Sequence, residues 1–372
     1  MKPLLALGIA AMFLSSSAFT EPPPRLTSPE VAPDGHVTFR FYSPNAVKVE
    51  LSLETQRDHS PMQKDQQGIW SVTVGPLKPD FYGYAFVQDG ISLIDPSNSL
   101  MKPNLLDNES EVHVPGASLP WEVADVPHGE IHHHFYRSKL VNEDRDFYVY
   151  TPPNYDPSGK TQYPVLYLLH GFSDDASGWT AVGRANVILD NLIAAGRAKP
   201  MIVVMPLGYG DMQVLQHGWG SWRDKELAWR NMSRFTDILL SEILPQIESS
   251  YRVTKAREAR AIAGLSMGGG ESLLTGLNHL DRFAWLGAFS SGGIDLHDFG
   301  AEFPNVDSDV NKNLKLLWIA CGQDDDLIKV NRRFKSWLKD KGVQFTDVET
   351  PGMHDWTVWR RNLAALAPLL FR

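Results

Sequence analysis

The sequence predicts an α/β protein in two parts, a small β-sandwich followed by a mostly parallel sheet with helices on both faces. At 372 residues the chain exceeds the usual size of one domain. Apolar and polar residues alternate over 25–105, which is typical of half-buried antiparallel strands. From residue 135 onward, continuous apolar runs alternate with helix-like segments, which is typical of a parallel sheet covered on both sides.

The first 18 residues predict a signal peptide. One lysine precedes an apolar run that is short for a membrane span, and Ser16 and Ala18 supply small residues for cleavage after Ala18. The alternative is an uncleaved anchor. After this segment no stretch is long enough to cross a bilayer. We therefore expect a secreted or periplasmic protein without an integral membrane span once the signal is removed.

Residues 25–105 predict a small β-sandwich. Strands are expected around Phe39, Leu51, Trp70 and Tyr84, and Asp89-Gly90 is a hairpin signal. Short alternating strands at this spacing indicate two small packed sheets.

Residues 106–134 predict a linker because the alternation fades and prolines accumulate. The segment ends in the run His132 to His134. Three histidines suggest a metal site, but neighbouring side chains of an extended segment point to opposite faces, so they do not converge on one ion. We interpret the run as a solvated part of the linker and predict no metal site.

Residues 135–372 predict the α/β domain. Its central strands are expected at VLYLL, MIVVM, ARAIAG, FAWLGAFS and KLLWIA. One amphipathic helix is predicted around Phe235 to Ile247, and another over 327–341, ending at Gly342. Cys321 lies at the end of the last apolar run. With one cysteine no intrachain disulfide can form, and a buried apolar role is expected for it.

Ser266 is the strongest candidate for a reacting side chain. It lies in AIAGLSMGGG, where Gly264, Ser266 and Gly268 form a G-x-S-x-G pattern between an apolar strand and a helix-like segment. A strained turn of this kind exposes a serine hydroxyl. The pattern alone is weak, but an acidic strand end and a histidine in a Pro-Gly loop follow it. Serine, then acid, then histidine is the chain order of α/β-hydrolases.

A serine hydroxyl needs a base that accepts its proton and an acid that orients the base. His354, in ETPGMHDW, is the candidate base, although it could also be a loop histidine bonded to Asp355. The acid is one of Asp324 to Asp326, and spacing alone does not decide which. The backbone amides of Met267 and Phe172 are the candidate donors to a developing oxyanion.

The connection LGYGDMQVLQHGWGSWRDKELAW is long and rich in glycine and aromatic residues, which indicates a functional loop. Trp219 and Trp222, together with Trp179, could form an apolar cleft wall that binds a ring of the substrate. Buried packing is an equally good interpretation of each tryptophan.

These motifs carry a resemblance. From about residue 128 onward the chain resembles the carbohydrate esterase family of feruloyl and acetylxylan esterases, through VYTPPNYD, YPVLYLLHGF, ILPQIESSYRV, REARAIAGLSMGGGES, LLWIACGQDDDLI and GMHDW. The N-terminal part resembles the early-set immunoglobulin-like module that precedes glycogen-branching enzymes. In that module Trp70 matches a structural position, so a role at the rim of the cleft is expected rather than glycan binding.

The resemblance implies that Ser266 is the nucleophile, His354 the base and Asp325 the acid, third after the glycine matched by Gly322. It also implies an α/β-hydrolase fold and no metal or organic cofactor. The expected activity is hydrolysis of feruloyl esters on xylan or xylo-oligosaccharides. The alternatives are acetylxylan esterase, siderophore esterase, sugar acyltransferase, and an inactive carbohydrate-binding protein with the same fold. The formal charge of −9 argues against a nucleic-acid partner, and none is expected.

Overall fold

The computed structural model describes residues 24–116 and 119–372. The signal peptide predicted for residues 1–18 lies outside these residues. Among the described residues, no helix has the length and apolar character of a membrane span.

The N-terminal part forms two antiparallel sheets that enclose a core of aromatic and branched side chains. Their order is β1-β2-β6-β5 in one sheet and β4-β3-β7-β10-β9, with β8 on β7, in the other. Phe39, Tyr84 and Phe86 are fully buried between them, because alternate residues of each strand face the core. The strands are β1 Glu30–Val31, β2 Val37–Tyr42, β3 Val49–Leu53, β4 Ser60–Pro61, β5 Gln63–Lys64, β6 Ile69–Val74, β7 Asp80–Gln88, β8 Ile91–Leu93, β9 Met101–Lys102 and β10 Glu109–Val114.

The structure differs from the linker predicted at 106–134. Strand β10 lies inside that range and pairs with β7 in the N-terminal sandwich. Strand β11, Glu130–Ser138, begins before the range ends and pairs along its whole length with β12, Glu143–Thr151. Both strands carry polar residues on one face, and this hides their alternation in the sequence. The three histidines therefore belong to an edge strand of the second sheet.

The second part is an eight-stranded sheet of order β11-β12-β14-β13-β15-β16-β17-β18. Strands β11 and β12 are antiparallel to their neighbours and the others run parallel, as the sequence predicts. The remaining strands are β13 Val165–Leu169, β14 Ile202–Pro206, β15 Arg260–Leu265, β16 Trp285–Phe289, β17 Leu316–Gly322 and β18 Thr346–Thr350.

Helices cover both faces of this sheet, and each face has its own core. Phe235 and Phe334 belong to one core, and Trp179 and Leu363 to the other. The helices are α1 Gly178–Ala181, α2 Ala185–Ala194, α3 Gln213–Gln216, α4 Lys225–Ile238, α5 Leu244–Ser250, α6 Met267–Asn278, α7 Phe299–Glu302, α8 Val310–Asn313, α9 Ile328–Asp340 and α10 Trp356–Leu366.

Two predicted helices are confirmed. Helix α4 continues through one π-helical turn, Leu239–Ile243, into α5, so the face predicted around Phe235 to Ile247 is buried as one unit. Helix α9 ends before Gly342, which takes a φ of 72°. Cys321 is buried at the end of β17, as expected, and burial raises the pKa of its thiol to about 12.

Candidate active site

Ser266 occupies the turn between β15 and α6. Its φ of 52° and ψ of −117° lie outside the regions that non-glycine residues normally adopt. Gly264 and Gly268 permit this turn because a Cβ on either one would lie 2.4 Å from a backbone oxygen, that of Gly268 or that of His170 respectively. The two glycines of the pattern are therefore required by close backbone approach.

The structure brings the side chains of Ser266, His354 and Asp325 together. The Ser266 Oγ lies 2.9 Å from the Nε2 of His354, and the Nδ1 of His354 lies 2.9 Å from the Oδ2 of Asp325. They come from the loops after β15, β17 and β18, which meet because these parallel strands end at one edge of the sheet. Proton transfer needs contacts of this length.

Asp325 is the one aspartate of its run that faces the histidine. It is buried, and its Oδ1 accepts a hydrogen bond from the amide of Leu327 at 2.7 Å. Burial by itself would raise the pKa of Asp325, but the hydrogen bond and charge of His354 hold that pKa below its ordinary value. Asp324 and Asp326 instead contact Arg57 of the N-terminal sandwich. The carboxylate of Asp325 is thus ionised and fixed.

The amides of Met267 and Phe172 flank the serine. Neither has a hydrogen-bond acceptor among the described residues. The turn that carries Phe172 approaches the serine closely, since a Cβ on Gly171 would lie 3.2 Å from that of Ser266. Both amides are available to an oxyanion at this point.

His170 fixes the turn that carries Phe172. Its Nδ1 donates to the carbonyl of Gly171 at 2.8 Å, and its Nε2 accepts from the amide of Gly208 at 2.8 Å. Burial lowers the pKa of His170, so the ring stays neutral in this tautomer. Its role in the site is therefore to hold the backbone.

Two of the three predicted tryptophans reach the site. Trp219 is 61% exposed and packs edge to face on Phe172, with ring centroids 4.9 Å apart. Trp222 packs on the same ring at 5.5 Å. The prediction that Trp179 lines the cleft is wrong. It is fully buried against Phe289 and Trp356, and its indole nitrogen donates to a backbone carbonyl.

Two cavities border Ser266 and His354, and Phe172 and Trp219 line both of them. The apolar cavity, of about 350 Å³, is lined mainly by Phe172, Trp219, Trp222, Met267, Leu296 and Leu327, with Asp295 and Asp326 also in its wall. The polar cavity, of about 210 Å³, is lined in part by Glu54, Lys102, Asn104, Asp107 and Glu109 of the N-terminal sandwich. An ester bound at Ser266 would place an apolar group on one side and a polar group on the other.

No sequence motif identifies these residues of the sandwich. Glu54 follows β3 in an ordinary turn and Lys102 ends β9, so neither position carries a local motif. Their place beside Ser266 depends on how the two parts of the chain dock, which spacing does not encode. Among residues 24–116 and 119–372, no group of three or more histidine, cysteine, aspartate or glutamate side chains forms a metal site.

Comparisons with known proteins agree with this architecture. The family model named Esterase matches residues 138–370, and the model of carbohydrate-binding module family 48, the isoamylase N-terminal domain, matches residues 27–104. The chain is 30% identical over 355 residues to an endo-1,4-beta-xylanase/feruloyl esterase of Xylanibacter ruminicola, covering 92% of this chain and 46% of the relative. It is 25% identical over 232 residues to an acetyl esterase of Caldicellulosiruptor saccharolyticus, covering 54% of this chain and 80% of that protein.

The solved structures that resemble the chain include a ferulic acid esterase of Anaeromyces mucronatus, at 25% identity and a TM-score of 0.58, covering 67% of this chain and 93% of that one. The enterobactin esterase of Shigella flexneri, at 18% identity and a TM-score of 0.68, covers 90% of this chain and 92% of that one and shares the fold. The chain spans about half the length of the Xylanibacter relative. Because the Esterase model matches more than half of it, the chain belongs to the esterase family of carboxylic ester hydrolases.

Proposed function

We propose that the protein is a secreted serine esterase that cleaves feruloyl esters of xylan or xylo-oligosaccharides through an acyl-Ser266 intermediate. The observation that carries the proposal is the pair of 2.9 Å contacts that link Ser266 to His354 and His354 to Asp325. The free amides of Met267 and Phe172 beside the serine support it.

In the first half-reaction, the Ser266 Oγ attacks the ester carbonyl carbon while the Nε2 of His354 takes the hydroxyl proton. The carbonyl oxygen becomes an oxyanion that the Met267 and Phe172 amides stabilise, at about 3 kcal/mol for each donor. The intermediate then breaks its bond to the alcohol oxygen, which leaves with the proton from His354. The acyl group stays on Ser266.

In the second half-reaction, water attacks the acyl carbon and gives a proton to the Nε2 of His354. Collapse of this second intermediate breaks the bond to Ser266 and returns the proton to its Oγ. The carboxylic acid leaves. Asp325 keeps His354 in the required tautomer and stabilises the positive ring in both halves, without taking up a proton itself.

The apolar cavity supports an aromatic acyl group. Its volume of about 350 Å³ and its wall of Phe172, Trp219 and Trp222 suit a phenolic ring. An acetyl group would leave most of this wall in contact with water. The polar cavity on the other side suits the hydroxyl groups of a sugar. The name of the Xylanibacter relative supports xylan as the source of that sugar.

Replacing the serine tests the mechanism. We expect Ser266→Ala to lose hydrolysis and to lose labelling by a fluorophosphonate probe, with an unchanged unfolding temperature. Ser272→Ala is a matched control, since Ser272 lies in α6, which follows Ser266, with a buried hydroxyl that donates to the Gly268 carbonyl. This control should keep both signals. Labelling or turnover in Ser266→Ala would overturn the mechanism.

A panel of methyl ferulate, acetylated xylan, 4-nitrophenyl acetate and a catecholate ester tests the substrate class. We expect the highest kcat/KM on ferulate. A preference for acetylated xylan, or for the catecholate, would replace the feruloyl assignment. Acyl transfer to an added sugar in preference to water would identify a transferase.

Trp219→Ala tests the place of the acyl ring. Loss of one aromatic contact costs about 0.5–1.5 kcal/mol, so kcat/KM for methyl ferulate should fall about 2- to 12-fold. The value for 4-nitrophenyl acetate on the same enzyme is the control. Its acetyl group is too small to cover much of this wall, so its kcat/KM should fall less. An equal fall for both esters would contradict the assignment of this cavity to the acyl ring.

A further inference from the structure

The N-terminal sandwich contacts three loops that carry the proposed reacting groups. We name these the oxyanion loop, residues 171–174, the acid loop, residues 323–327, and the base loop, residues 351–356. Each loop receives hydrogen bonds from the sandwich or donates one to it. A module that only bound glycan would not need to contact the loops that carry the reacting groups.

Glu54 contacts the base loop. Its Oε1 accepts a hydrogen bond from the amide of Trp356 at 3.0 Å, two residues after His354. Trp356 is the first residue of α10, where an amide has no partner within its own helix. Asp355 caps the same helix by accepting from the amide of Val358 at 3.1 Å. A side chain from the sandwich thus completes the helix cap beside the histidine.

Glu54 is itself held in place. It is 7% exposed, its Oε2 accepts from the amide of Gly83 at 2.7 Å, and its Oε1 lies 3.3 Å from the Nζ of Lys102. Burial would raise the pKa of Glu54, but the charges of Lys102 and Arg360 and its backbone donors hold that pKa below its ordinary value. It is therefore a fixed, ionised acceptor.

Arg57 contacts the acid loop. One guanidinium nitrogen donates to the backbone carbonyl of Asp324 at 2.6 Å, and the other lies 3.1 Å from the Oδ1 of Asp326. These two residues flank Asp325. Arg57 therefore holds the backbone on one side of the residue that faces His354 and contacts a side chain on the other.

Asn104 contacts the oxyanion loop. Its side-chain amide donates to the Oγ of Ser173 at 2.9 Å and to the Oδ1 of Asp174 at 3.2 Å. The amide of Leu105 donates to the carbonyl of Ser173 at 2.7 Å. Ser173 has a φ of 73°, which a serine adopts only when its surroundings hold it there. This bond network fixes the residue next to the Phe172 amide.

We infer that the N-terminal sandwich is a structural component of the active site, in which Glu54, Arg57 and Asn104 are positioning residues for His354, Asp325 and the Phe172 amide. The inference rests on the proposed function. Displacing a reacting group by about 1 Å can cost about a hundredfold in rate. Three loops from different strand ends must therefore be held in register, and the sandwich contacts all three.

Variants of Glu54 in the full chain test this inference, with rates on 4-nitrophenyl acetate normalised to sites titrated by a fluorophosphonate. Glu54→Ala removes the acceptor for Trp356, and we expect kcat to fall about tenfold or more with little change in KM. Glu54→Gln keeps an amide oxygen in that place and should recover most of the loss. Arg57→Ala and Asn104→Ala, on the other two loops, should each lower kcat severalfold.

Asp95→Asn is the matched control. Asp95 is another buried carboxylate of the sandwich, bonded to Ser28 at 2.7 Å and Tyr84 at 2.8 Å, and it contacts none of the three loops. We expect it to lower the unfolding temperature and to leave kcat per titrated site unchanged.

Two results would overturn the inference. One is a kcat per titrated site in Glu54→Ala, Arg57→Ala and Asn104→Ala equal to that of Asp95→Asn, which would leave these residues a purely structural role. The other is an unchanged kcat with a raised KM confined to feruloylated oligosaccharide, which would make them sugar ligands. Neither result touches the proposed function, because Ser266→Ala tests the mechanism and the ester panel tests the substrate class.

Discussion

Asp325 has a distinct environment although its neighbours have the same side chain. It is buried with one oxygen on His354 and the other on the amide of Leu327, whereas Asp326 is largely exposed and pairs with Arg57. Orientation, set by the turn between β17 and α9, decides which carboxylate reaches the imidazole.

Asp325→Asn tests this environment. The amide can still accept from Leu327, so the fold should remain, but it no longer favours the Nδ1–H tautomer that leaves Nε2 free to accept the serine proton. We expect kcat to fall by about 10³–10⁴. The matched control is Asp326→Asn. The Asp326 side chain does not contact His354, so kcat should fall at most severalfold, through the weakened contact with Arg57. Equal losses in the two variants would contradict the assignment of the acid.

Sequence order was sufficient for part of the site and insufficient for the rest. Ser266 and His354 lie where the motif and its chain order predict, because strand ends of a parallel sheet meet at one edge. Asp325 could be chosen from its run only through a family resemblance. For Trp179 the cleft position is wrong and the buried alternative is correct, because the local pattern around a tryptophan is the same whether the ring faces solvent or the core.

At the level of elements, the turn between β15 and α6 depends on backbone contact. A Cβ on Gly268 would lie 2.4 Å from the carbonyl oxygen of His170 and 2.7 Å from the carbonyl carbon of Leu169. Neither atom is a flexible side-chain end, so relief requires the turn or β13 to move. The turn that bears the serine is thereby tied to the strand that leads to the oxyanion loop.

Gly268→Ala should therefore destabilise the protein by about 1–3 kcal/mol and lower kcat, since the adjacent Met267 amide would move. Urea unfolding and the rate on 4-nitrophenyl acetate measure the two effects. Gly220→Ala is the matched control for stability, because a Cβ there meets nothing within 4 Å. A Gly268→Ala variant as stable as Gly220→Ala would show that the turn is not constrained in this way.

Charge pairs join α9 to β18, the edge strand that leads into the base loop. Glu349 lies 2.6 Å from the Nζ of Lys335 and 2.6 Å from a guanidinium nitrogen of Arg332. These partners hold the pKa of Glu349 at about 2, below its ordinary 4.5. Because the folded-state pKa is depressed, the stabilisation is complete above about pH 4.5 and is lost as the pH falls toward 2.

Glu349→Gln should lower the unfolding temperature at pH 7 by about 1–2 °C, which corresponds to about 1 kcal/mol. The difference from the wild type should shrink as the pH falls below 4.5. Asp309→Asn, which breaks an exposed pair with Lys312, is the control and should show little difference at any pH. A difference that persists unchanged at pH 3 would contradict the assigned charge state.

Two strands of the structure, β10 and β11, are not predictable from the local sequence pattern. Both contain glutamate, histidine and serine residues, so the apolar–polar alternation that predicts a strand is weak in them. Their sequence pattern resembles that of a loop. Their pairing with β7 and β12 is visible only after the sheets form. The apolar runs that form β13 to β17, in contrast, can be predicted as strands from the sequence alone.

On the scale of the whole molecule, the two parts meet around one buried cation. Arg360 of α10 is fully buried and donates to the carboxylate of Asp80 at 2.9 Å, to the carbonyl of Phe81 at 2.5 Å and to the carbonyl of Val182 at 2.9 Å. Burial raises the pKa of Asp80, and the charge of Arg360 opposes that rise. The charges of Arg360 and Asp80 neutralise each other only when the sandwich and the α/β part are docked.

Arg360→Ala should therefore cost about 3–5 kcal/mol, because it leaves the Asp80 carboxylate buried without its partner. Scanning calorimetry should show one cooperative transition for the wild type and a lower, broader or divided transition for the variant, in which the sandwich no longer unfolds together with the sheet. The double variant Arg360→Met/Asp80→Asn removes both charges and keeps much of the packing, so it should recover a large part of the loss. If the double variant is as unstable as Arg360→Ala, the packing of the arginine stem, rather than the buried charge pair, couples the two parts.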